Sequence, residues 1–450
     1  MNEDKKRFGM SKADKERLLA AMRSQTPVAP EQRRTARRII APELLRFDTM
    51  PEYTEIQVQK AVGKQLGLDD VYYMLHDGLA TNHTSINGRD FLNFSTYDYL
   101  GLNGDPRVRE AAMAAAEKYG MSASASRLTA GERPPHRELE AAIASLCDTE
   151  SAICYVSGHS TNVSTLNCLF GNRDVIFYDE LSHNSLILGA SHSGAARYSY
   201  ANNDMESLDK LLEEHRYNYQ RAIIVTEGLF SMDGCLCDLP RLLDLKKKHG
   251  CLLMVDEAHS MGVVGRTGSG VREYFGVPSD AVDIWMGTLS KTFCGCGGYI
   301  AGKSALTEFL KFKSPSYVYS VGMPPAMAAA SHEAIRLMLA EPERVARLHR
   351  NGSLFVSLAK EKGLDTGKSQ GFSVVPIITG DSICSCLCYQ ELKNRGILAL
   401  PIIYPAVEEG KARVRFFISA MHTEEDIRTA VNAIAEVLPV AREKAKSYAK

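Results

Sequence analysis

Two residues that could carry covalent and acid–base chemistry each follow an apolar run of strand length. Asp256 comes directly after CLLMV, and His259 lies three residues further on. Lys291 lies three residues after Thr288, which follows the run AVDIWMG. A lysine with small and hydroxyl neighbours, as in GTLSKTF, suits a Schiff base with a carbonyl compound. An acid at the end of a buried strand needs a cationic partner. Lys291 and Asp256 together therefore predict a ligand that has both a carbonyl group and a positively charged group.

Small and hydroxyl-bearing residues follow the other apolar runs. After SAICYV come Ser157, Gly158 and His159, and the next residues open a helix. A small residue, a glycine and a helix N-terminus form a site for a phosphate monoester, because backbone N–H groups point outward there. His183 follows the run DVIFYD, and Ser231 follows RAIIVTE.

One cofactor, pyridoxal 5′-phosphate, would use all of these residues. It needs a lysine for the Schiff base, a carboxylate that keeps the pyridine nitrogen protonated, a flat partner for the ring and a phosphate site. Each residue alone has a simpler explanation, since an acid or a lysine at a strand end is usually a cap or a solvated charge. A lone histidine is more often a core or surface residue. The prediction therefore depends on the ordered set and on no single member.

The elements that would position this set alternate between strands and helices. Apolar runs of strand length occur at residues 151–156, 174–179, 221–227, 251–257, 281–287 and 297–302. Several are continuously apolar, as parallel strands buried on both faces are. PRLLDLKKKHG (240–250) is a clear intervening helix that ends in a glycine. The alternation predicts an α/β fold with a mostly parallel sheet, and a site at the carboxyl ends of its strands.

The pattern changes along the chain and predicts four segments. Residues 1–50 hold 12 Lys and Arg against 7 Asp and Glu, a net +5, which predicts a basic N-terminal extension or linker. Residues 51–105 form an N-terminal segment, and 106–325 form the large domain. Amphipathic helices and short strands after about residue 325 predict a smaller α+β domain over 326–450.

Composition and charge exclude several classes of protein. Lys and Arg total 53 and Asp and Glu total 54, and a net charge of −1 argues against a dedicated nucleic-acid binder. No apolar run approaches the ~20 residues of a membrane span, and the first residues lack the apolar core of a secretory signal. Eleven cysteines without such a signal predict reduced thiols and a cytoplasmic location. Their C-x-C clusters lack zinc-ribbon spacing, so no metal site is predicted.

A phosphate-loop pattern points to another class, a nucleotide triphosphatase. GGYIAGKS (297–304) satisfies G-x4-G-K-S, and residues 256–259 read DEAH. A phosphate loop must follow a strand and open a helix. Here YIA lies inside the match and is itself predicted to be the strand, and the acidic motif precedes the glycine motif. This context argues against nucleotide hydrolysis, and a nucleotide-binding assay would separate the two classes.

Seven motifs along the chain resemble, in order, those of the α-oxoamine synthases, which are fold-type I pyridoxal-phosphate enzymes. They are NFSTYDYLGL (93–102), SGHSTN (157–162), DELSHNSLILGA (179–190), TEGLFSMDG (226–234), MVDEAHSMGVVG (254–265), GTLSKTF around Lys291, and YSVGMPP (319–325). The resemblance runs from about residue 55 to the end. It is closest to serine palmitoyltransferases and to synthase domains attached to polyketide assembly lines. It implies a fold-type I, aminotransferase-like large domain, a smaller C-terminal domain and a homodimer.

The resemblance also implies a role for each residue around the cofactor ring. Lys291 would form the Schiff base, and Asp256 would pair with the pyridine nitrogen. His183 would stack on the ring and contact the incoming amino acid. His259 and Ser231 would hold the phenolic oxygen.

Further residues would bind the phosphate and the amino acid. The phosphate-binding residues implied by the family are Ser157, Gly158, His159, Thr288 and, from the other subunit, Ser320. Arg415, in ARVRFF, would bind the carboxylate of the amino acid, since a guanidinium can make two parallel hydrogen bonds to it. Tyr97, in STYDYLG, would also bind substrate; it stands where many family members have asparagine and resembles the serine palmitoyltransferase pattern.

These roles predict a decarboxylative condensation. A small amino acid (glycine, alanine or serine) would react with an acyl thioester of coenzyme A or an acyl carrier protein, giving an α-amino ketone and CO2. The stretch DDVYYMLHDGL (69–79) lacks the arginine that oxononanoate synthases carry for a diacid, so a monocarboxylic acyl donor is predicted. The alternatives are an 8-amino-7-oxononanoate synthase, or an aminotransferase or lyase on the same fold.

Overall fold

The computed structural model describes residues 41–65, 67 and 71–448. The chain divides into two compact units, residues 1–69 and 70–450. In the first unit, two short 3-10 helices (Pro42–Leu45 and Phe47–Thr49) precede an α-helix over Pro51–Gln65. Most of the basic extension predicted for residues 1–50 lies outside the described residues, and its boundaries stay a prediction.

The described residues of the second unit form three β-sheets. Its strands are β1 (His83–Ile86), β2 (Arg89–Asn93), β3 (Ser151–Tyr155), β4 (Val175–Asp179), β5 (Ala196–Tyr200), β6 (Ala222–Glu227), β7 (Leu252–Asp256), β8 (Ile284–Thr288), β9 (Gly298–Gly302), β10 (Val374–Gly380), β11 (Ile397–Leu398), β12 (Leu400–Ile402) and β13 (Ala412–Phe417). The largest sheet has seven strands in the order β3-β9-β8-β7-β6-β4-β5. Its strands are parallel except β9, which is antiparallel to both of its neighbours.

Helices connect and cover these strands. The α-helices of the second unit are Pro106–Tyr119, Pro134–Cys147, Gly158–Leu169, Asn184–His192, Met205–His215, Leu239–His249, Gly270–Phe275, Ser304–Lys313, Pro315–Val318, Pro325–Ala340, Glu343–Glu361, Ser382–Asn394 and Glu424–Tyr448. Local sequence sets several of their ends. Asp105 caps the helix that begins at Pro106, and Gly120 ends it with a positive φ of 78°. Gly250 ends the helix Leu239–His249 in the left-handed conformation.

The seven-stranded sheet is buried on both faces, as the continuously apolar runs predict. Along β7, Leu253 and Val255 belong to one apolar cluster, and Met254 between them belongs to another. Along β6, Ile224 and Ile223 divide in the same way. Successive side chains of a strand point to opposite faces, so each face of this sheet carries its own core. The α/β fold with a mostly parallel sheet is thereby confirmed.

The C-terminal part forms a smaller α+β arrangement, which also confirms the prediction. Strands β10, β13 and β12 form an antiparallel sheet, and helix Ser382–Asn394 packs against it. The predicted run ILAL (397–400) divides into two strands, β11 and β12. Strand β11 leaves this region and pairs in parallel with β2, which forms a hairpin with β1. A pairing between segments some 300 residues apart has no signal in local sequence.

The segment that matches a phosphate loop does not have that structure. Residues 298–302 form β9, an internal strand of the large sheet, so the backbone N–H groups there take part in the hydrogen bonds of the sheet.

Over the described ranges, no helix is long and apolar enough to cross a membrane. The same residues contain no group of three or more His, Cys, Asp or Glu side chains that could hold a metal ion.

Candidate active site

The carboxyl ends of five parallel strands meet at one edge of the large sheet, and a cavity of about 270 Å³ lies there. Eight of the sequence-predicted residues line it: Ser157, Gly158, His159, His183, Asp256, His259, Thr288 and Lys291. These residues come from four separate connections, which follow β3, β4, β7 and β8. The parallel register of the strands therefore collects them at one place.

Lys291 lies in the turn after β8, with its ammonium over the ring of Tyr97 at 5.6 Å from the ring centroid. Burial lowers the pKa of Lys291, whereas the charges of Asp256 and Glu227 act in the opposite direction. A lysine of lowered pKa keeps a larger fraction of free amine at neutral pH. That form is the one that can attack a carbonyl group.

Asp256 ends β7 and is 4% exposed. Its Oδ2 accepts a hydrogen bond from Asn162 Nδ2 at 2.8 Å, and its Oδ1 accepts one from the backbone N–H of Ala258 at 2.9 Å. Both oxygens act as acceptors, as those of an ionised carboxylate do. A buried carboxylate at the wall of a cavity is suited to a ligand with a positively charged N–H group.

The connection between β3 and the next helix forms a cradle at the other end of the cavity. Ser157 caps the helix Gly158–Leu169, and its side chain accepts from the backbone N–H of Ser160 at 3.4 Å. A Cβ atom added at Gly158 would lie 2.7 Å from Thr288 Oγ1, so only glycine fits this close approach. The helix N-terminus and two hydroxyl groups therefore face one small space, which suits a phosphate.

Of the three histidines that line the cavity, His183 and His259 are held by side-chain hydrogen bonds. His183 caps the helix Asn184–His192, and its Nδ1 lies 2.7 Å from Ser185 Oγ. His259 Nδ1 lies 2.8 Å from the hydroxyl of Tyr99, which is fully buried. Burial lowers the pKa of both histidines, most strongly for His259. Both rings are therefore neutral near pH 7, and each has one nitrogen that can donate.

Arg415 and Ser231 lie beside the cavity and do not line it. Arg415 Nη1 donates to the backbone oxygen of Ser231 at 3.0 Å, and the guanidinium lies 4.4 Å from the ring centroid of Phe417. Arg415 Nε is buried and has no hydrogen-bond partner among the described residues. A buried guanidinium with an unused N–H is suited to an anion, such as a carboxylate.

Two other predicted residues also lie outside the cavity lining. Tyr97 is 41% exposed and contacts the ring of Phe417 edge-on at 5.0 Å. Ser320 is half-buried, between the exposed side chains of Tyr319 and Val321. The structure thus does not bring Ser320 into the cavity of its own chain.

Sequence reasoning missed Glu227, which lines the cavity at the end of β6. It is 3% exposed and lies opposite Asp256 in the register of β6 and β7. Its Oε2 accepts from the backbone N–H of Ser231 at 3.2 Å, and its Oε1 has no partner among the described residues. Burial, with a smaller contribution from Asp256, raises the pKa of Glu227 to about 8. The rule that polar residues end the strands would have found it, since it ends the run RAIIVTE.

Asn162 and Ser185 also line the cavity and were not predicted as site residues. Ser185 lies in the first turn of its helix and Asn162 in the second turn of its own, near helix starts where Asn and Ser commonly serve as caps or hydrogen-bond to the backbone. Nothing in their local sequence distinguishes them from such residues.

The stretch 69–79, whose lack of an arginine predicts a monocarboxylic acyl donor, packs in part against a small apolar cluster. Val71 and Met74 contact a small apolar cluster that contains Phe91 and Leu398. Residues 69 and 70 lie outside the described residues. The exposed large hydrophobic side chains of the segment are those of Tyr72 (58%), Tyr73 (102%), Leu75 (84%) and Leu79 (59%).

The residues around the cavity fit the cofactor that the motifs predict. A lysine of lowered pKa and a buried carboxylate face the same space. A helix N-terminus with a required glycine, Gly158, suits the phosphate group of the cofactor. The neutral rings of His183 and His259 are flat partners for its pyridine ring. No two of these features are adjacent in sequence, so their convergence is informative.

Comparison with known proteins identifies relatives over most of the chain. The family described as aminotransferase class I and II matches residues 89–434. The 8-amino-7-oxononanoate synthase of Symbiobacterium thermophilum is 40% identical over 352 residues, which cover 78% of this chain and 89% of the relative. That of Fervidobacterium nodosum is 40% identical over 355 residues, with the same coverage.

Solved structures resemble the whole fold. Serine palmitoyltransferase from S. paucimobilis, solved with bound pyridoxal phosphate and myriocin, has a TM-score of 0.83 and 26% identity and covers 87% of this chain and 98% of its own. The 8-amino-7-oxononanoate synthase of Francisella tularensis has a TM-score of 0.68 and 25% identity and covers 80% of this chain and 99% of its own. The resemblance drawn from the motifs is thereby confirmed: the chain belongs to the pyridoxal-phosphate-dependent aminotransferase class I and II family, close to the α-oxoamine synthases.

Proposed function

We propose that this protein is an acyltransferase that joins a small amino acid to the acyl group of a thioester, with loss of CO2, to form an α-amino ketone. The observation that supports this most is the cavity itself, where Lys291, Asp256 and His183 converge beside a buried arginine with an unused N–H. The relatives named above are α-oxoamine synthases, which form carbon–carbon bonds in this way.

Pyridoxal phosphate, when bound, supplies an electron sink that stabilises negative charge at the amino-acid Cα. Lys291 would carry the cofactor and, once released, would move the proton at Cα, for which its lowered pKa is suited. Asp256 would keep the cofactor ring cationic. Ser157, Gly158, His159 and Thr288 would bind the phosphate.

The remaining residues would orient the substrate and the cofactor. Arg415 would bind the amino-acid carboxylate through its free Nε–H and a second N–H. His259 and Ser231 would hold the phenolic oxygen. His183 would stack on the ring and contact the amino acid, and Tyr97, near Lys291, would border the substrate.

The acyl donor distinguishes two versions of this function. We favour a monocarboxylic acyl thioester, because the stretch 69–79 lacks an arginine and carries apolar side chains. The second candidate is an 8-amino-7-oxononanoate synthase, since relatives with that name are 40% identical to this chain. Coenzyme A and a carrier protein are both suitable carriers of the acyl group.

A panel of amino acids and acyl thioesters tests the proposal directly. Purified protein loaded with cofactor should release thiol and CO2 only when both substrates are present. Lys291→Ala should release neither. Formation of a keto acid without thiol release would identify an aminotransferase instead and would refute the condensation.

A homodimer with shared sites is a further part of the proposal. Ser320 lies outside the cavity of its own chain and between exposed side chains, so it is available to a second subunit. Mixing Lys291→Ala chains with Ser320→Arg chains should restore part of the activity, because one hybrid site keeps both native residues. If activity is not restored after proven subunit exchange, that result would count against a shared site.

A cytoplasmic location also stays a proposal.

A further inference from the structure

Buried hydrogen bonds connect His183 to Asp256 through two residues that have no assigned role. Asn162 Nδ2 donates to Asp256 Oδ2 at 2.8 Å and lies 2.9 Å from Ser185 Oγ, to which it also donates. Ser185 Oγ in turn lies 2.7 Å from His183 Nδ1. Asn162 is 1% exposed and Ser185 is 0% exposed, so water does not compete for these bonds.

The direction of each bond follows from counting protons. The backbone N–H of Ser185 donates to His183 Nδ1 at 3.3 Å, so this nitrogen must be an acceptor. Ser185 Oγ already accepts from Asn162, and its single proton is therefore available to the same nitrogen. A neutral imidazole carries one proton. Because Nδ1 of His183 receives donors from Ser185, that proton must be on Nε2.

We propose that Ser185 and Asn162 are positioning residues that hold His183 as its Nε2–H tautomer and connect this tautomer to Asp256. His183 then presents a fixed N–H donor to the cavity. The ligand group that fits it is an oxygen acceptor, such as the carboxylate or carbonyl of a substrate. That consequence rests on the proposed function, whereas the tautomer is a property of the chain itself.

The charged groups around His183 shift its pKa in opposite directions. Burial lowers the pKa of His183, and the charges of Lys291 and His159 lower it further, whereas Asp256 raises it. The hydrogen bonds from Ser185 add to the lowering effect, because donors to Nδ1 stabilise the neutral ring. Removing the hydroxyl of Ser185 should therefore raise the pKa of His183 and release its tautomer.

The tautomer can be measured without catalysis. Full-length protein with 15N-labelled histidine is examined by long-range 1H–15N correlation, with and without cofactor, and a His183→Asn variant assigns the signals. In the native chain, His183 should have a protonated Nε2 and an unprotonated Nδ1. A protonated Nδ1 in the native protein would overturn the proposal, and this measurement needs no variant that alters the network.

Variants then test which residues hold the tautomer. Ser185→Ala should give a mixture of tautomers and raise the pKa of His183 by about half a unit or more, as expected for the loss of a hydrogen bond to the neutral form. Ser185→Thr, which keeps the hydroxyl, should restore the native spectrum. Asn162→Ala should shift the mixture in the same direction by a smaller amount.

Ser182 provides a matched control. Its hydroxyl is also buried, one residue before His183, but has no hydrogen-bond partner among the described residues. Ser182→Ala should leave the tautomer and the pKa of His183 unchanged. An equal change in Ser182→Ala and Ser185→Ala would mean that loop packing, not the network, sets the tautomer. If the tautomer is as predicted but thiol release is absent, the proposed function fails and this inference stands.

Discussion

Two regions that the sequence predicted to bind ligands differ sharply in how the chain holds them. At the edge of the large sheet, polar side chains are buried and hydrogen-bonded: Asn162 donates to Asp256, and Glu227 accepts from the backbone of Ser231. Asp256, Asn162 and Glu227 are each less than 5% exposed. In the stretch 71–79, Tyr73 and Leu75 are more than 80% exposed. One chain thus holds most of the residues of the proposed cofactor site, and Ser320 of a second subunit is the proposed addition, whereas the stretch 71–79 stays largely exposed.

The physical reason lies in the elements that carry each region. Residues at the ends of parallel strands are held by ladder hydrogen bonds on both sides, so their side chains converge with little freedom. The stretch 71–79 contributes no strand of its own. Its backbone pairs with the β1–β2 hairpin at an isolated bridge between Asp77 and Ser85, and its other contacts with the hairpin are made by side chains such as those of Val71 and Met74. Ligand-binding segments of this kind commonly gain their final shape from a partner or a substrate.

The largest effect is expected at Lys291. The loaded protein should be yellow, and borohydride should attach the cofactor permanently to the one peptide that contains Lys291. Lys291→Ala should abolish turnover, while exposed Lys303→Ala should not change it. Labelling of another lysine, or a colourless protein that cannot be reconstituted with pyridoxal phosphate, would contradict the proposed cofactor site at the edge of the large sheet.

The next largest effect is expected at Asp256. Asp256→Asn should still bind the cofactor but lose at least roughly 100-fold in turnover, since a neutral ring is a poor electron sink and each ~1.4 kcal/mol of barrier gives a factor of ten. Asp179→Asn is the matched control, because Asp179 is equally buried at the end of β4 and does not line the cavity. Near-normal turnover of Asp256→Asn would show that the ring has another partner.

The choice of acyl donor tests the role of the stretch 71–79. A methylene chain gains about 0.8 kcal/mol per buried CH2 on an apolar surface, while an unpaired buried carboxylate costs several kcal/mol. We therefore expect a monocarboxylic thioester to exceed the matched diacid thioester by roughly tenfold in kcat/KM. Leu75→Arg should narrow that preference. A native preference for the diacid would support an oxononanoate synthase, and no effect of Leu75→Arg would mean that this stretch only packs the fold.

The smallest effect is expected in stability, at Glu227. Its pKa is raised from 4.5 to about 8 in the folded chain. Between these values the folded state holds a proton that the unfolded state has lost, so stability should fall as pH rises. Glu227→Gln removes this pH dependence, so the variant's free energy of unfolding relative to that of the native chain should rise by on the order of 1 kcal/mol from pH 7 to 8. Denaturant unfolding of cofactor-free protein measures this, with exposed Glu117→Gln as control; parallel pH curves would contradict the raised pKa.

Much of the fold was predictable because its signals are local. Runs such as CLLMV and DVIFY are apolar on both faces, which is typical of strands covered by helices on both sides. Strand β5 (ARYSY) was missed because it alternates polar and apolar residues at the edge of the sheet. The site was predictable where residues of the right chemistry follow successive apolar runs in the order of the family motifs, as for Asp256 and Lys291. It was missed at Asn162 and Ser185, which locally look like ordinary polar residues near the start of a helix.

The sequence by itself determined the family, the cofactor and the α/β order of the elements, because each of these depends on motifs or on periodicity within a few residues. Only the tertiary structure revealed that Asn162, Ser185, His183 and Asp256 form one hydrogen-bonded chain, and that Glu227 faces Asp256. Those contacts join residues up to 94 positions apart. They depend on which strands are neighbours in the sheet, and that neighbourhood is set by the packing of the whole domain.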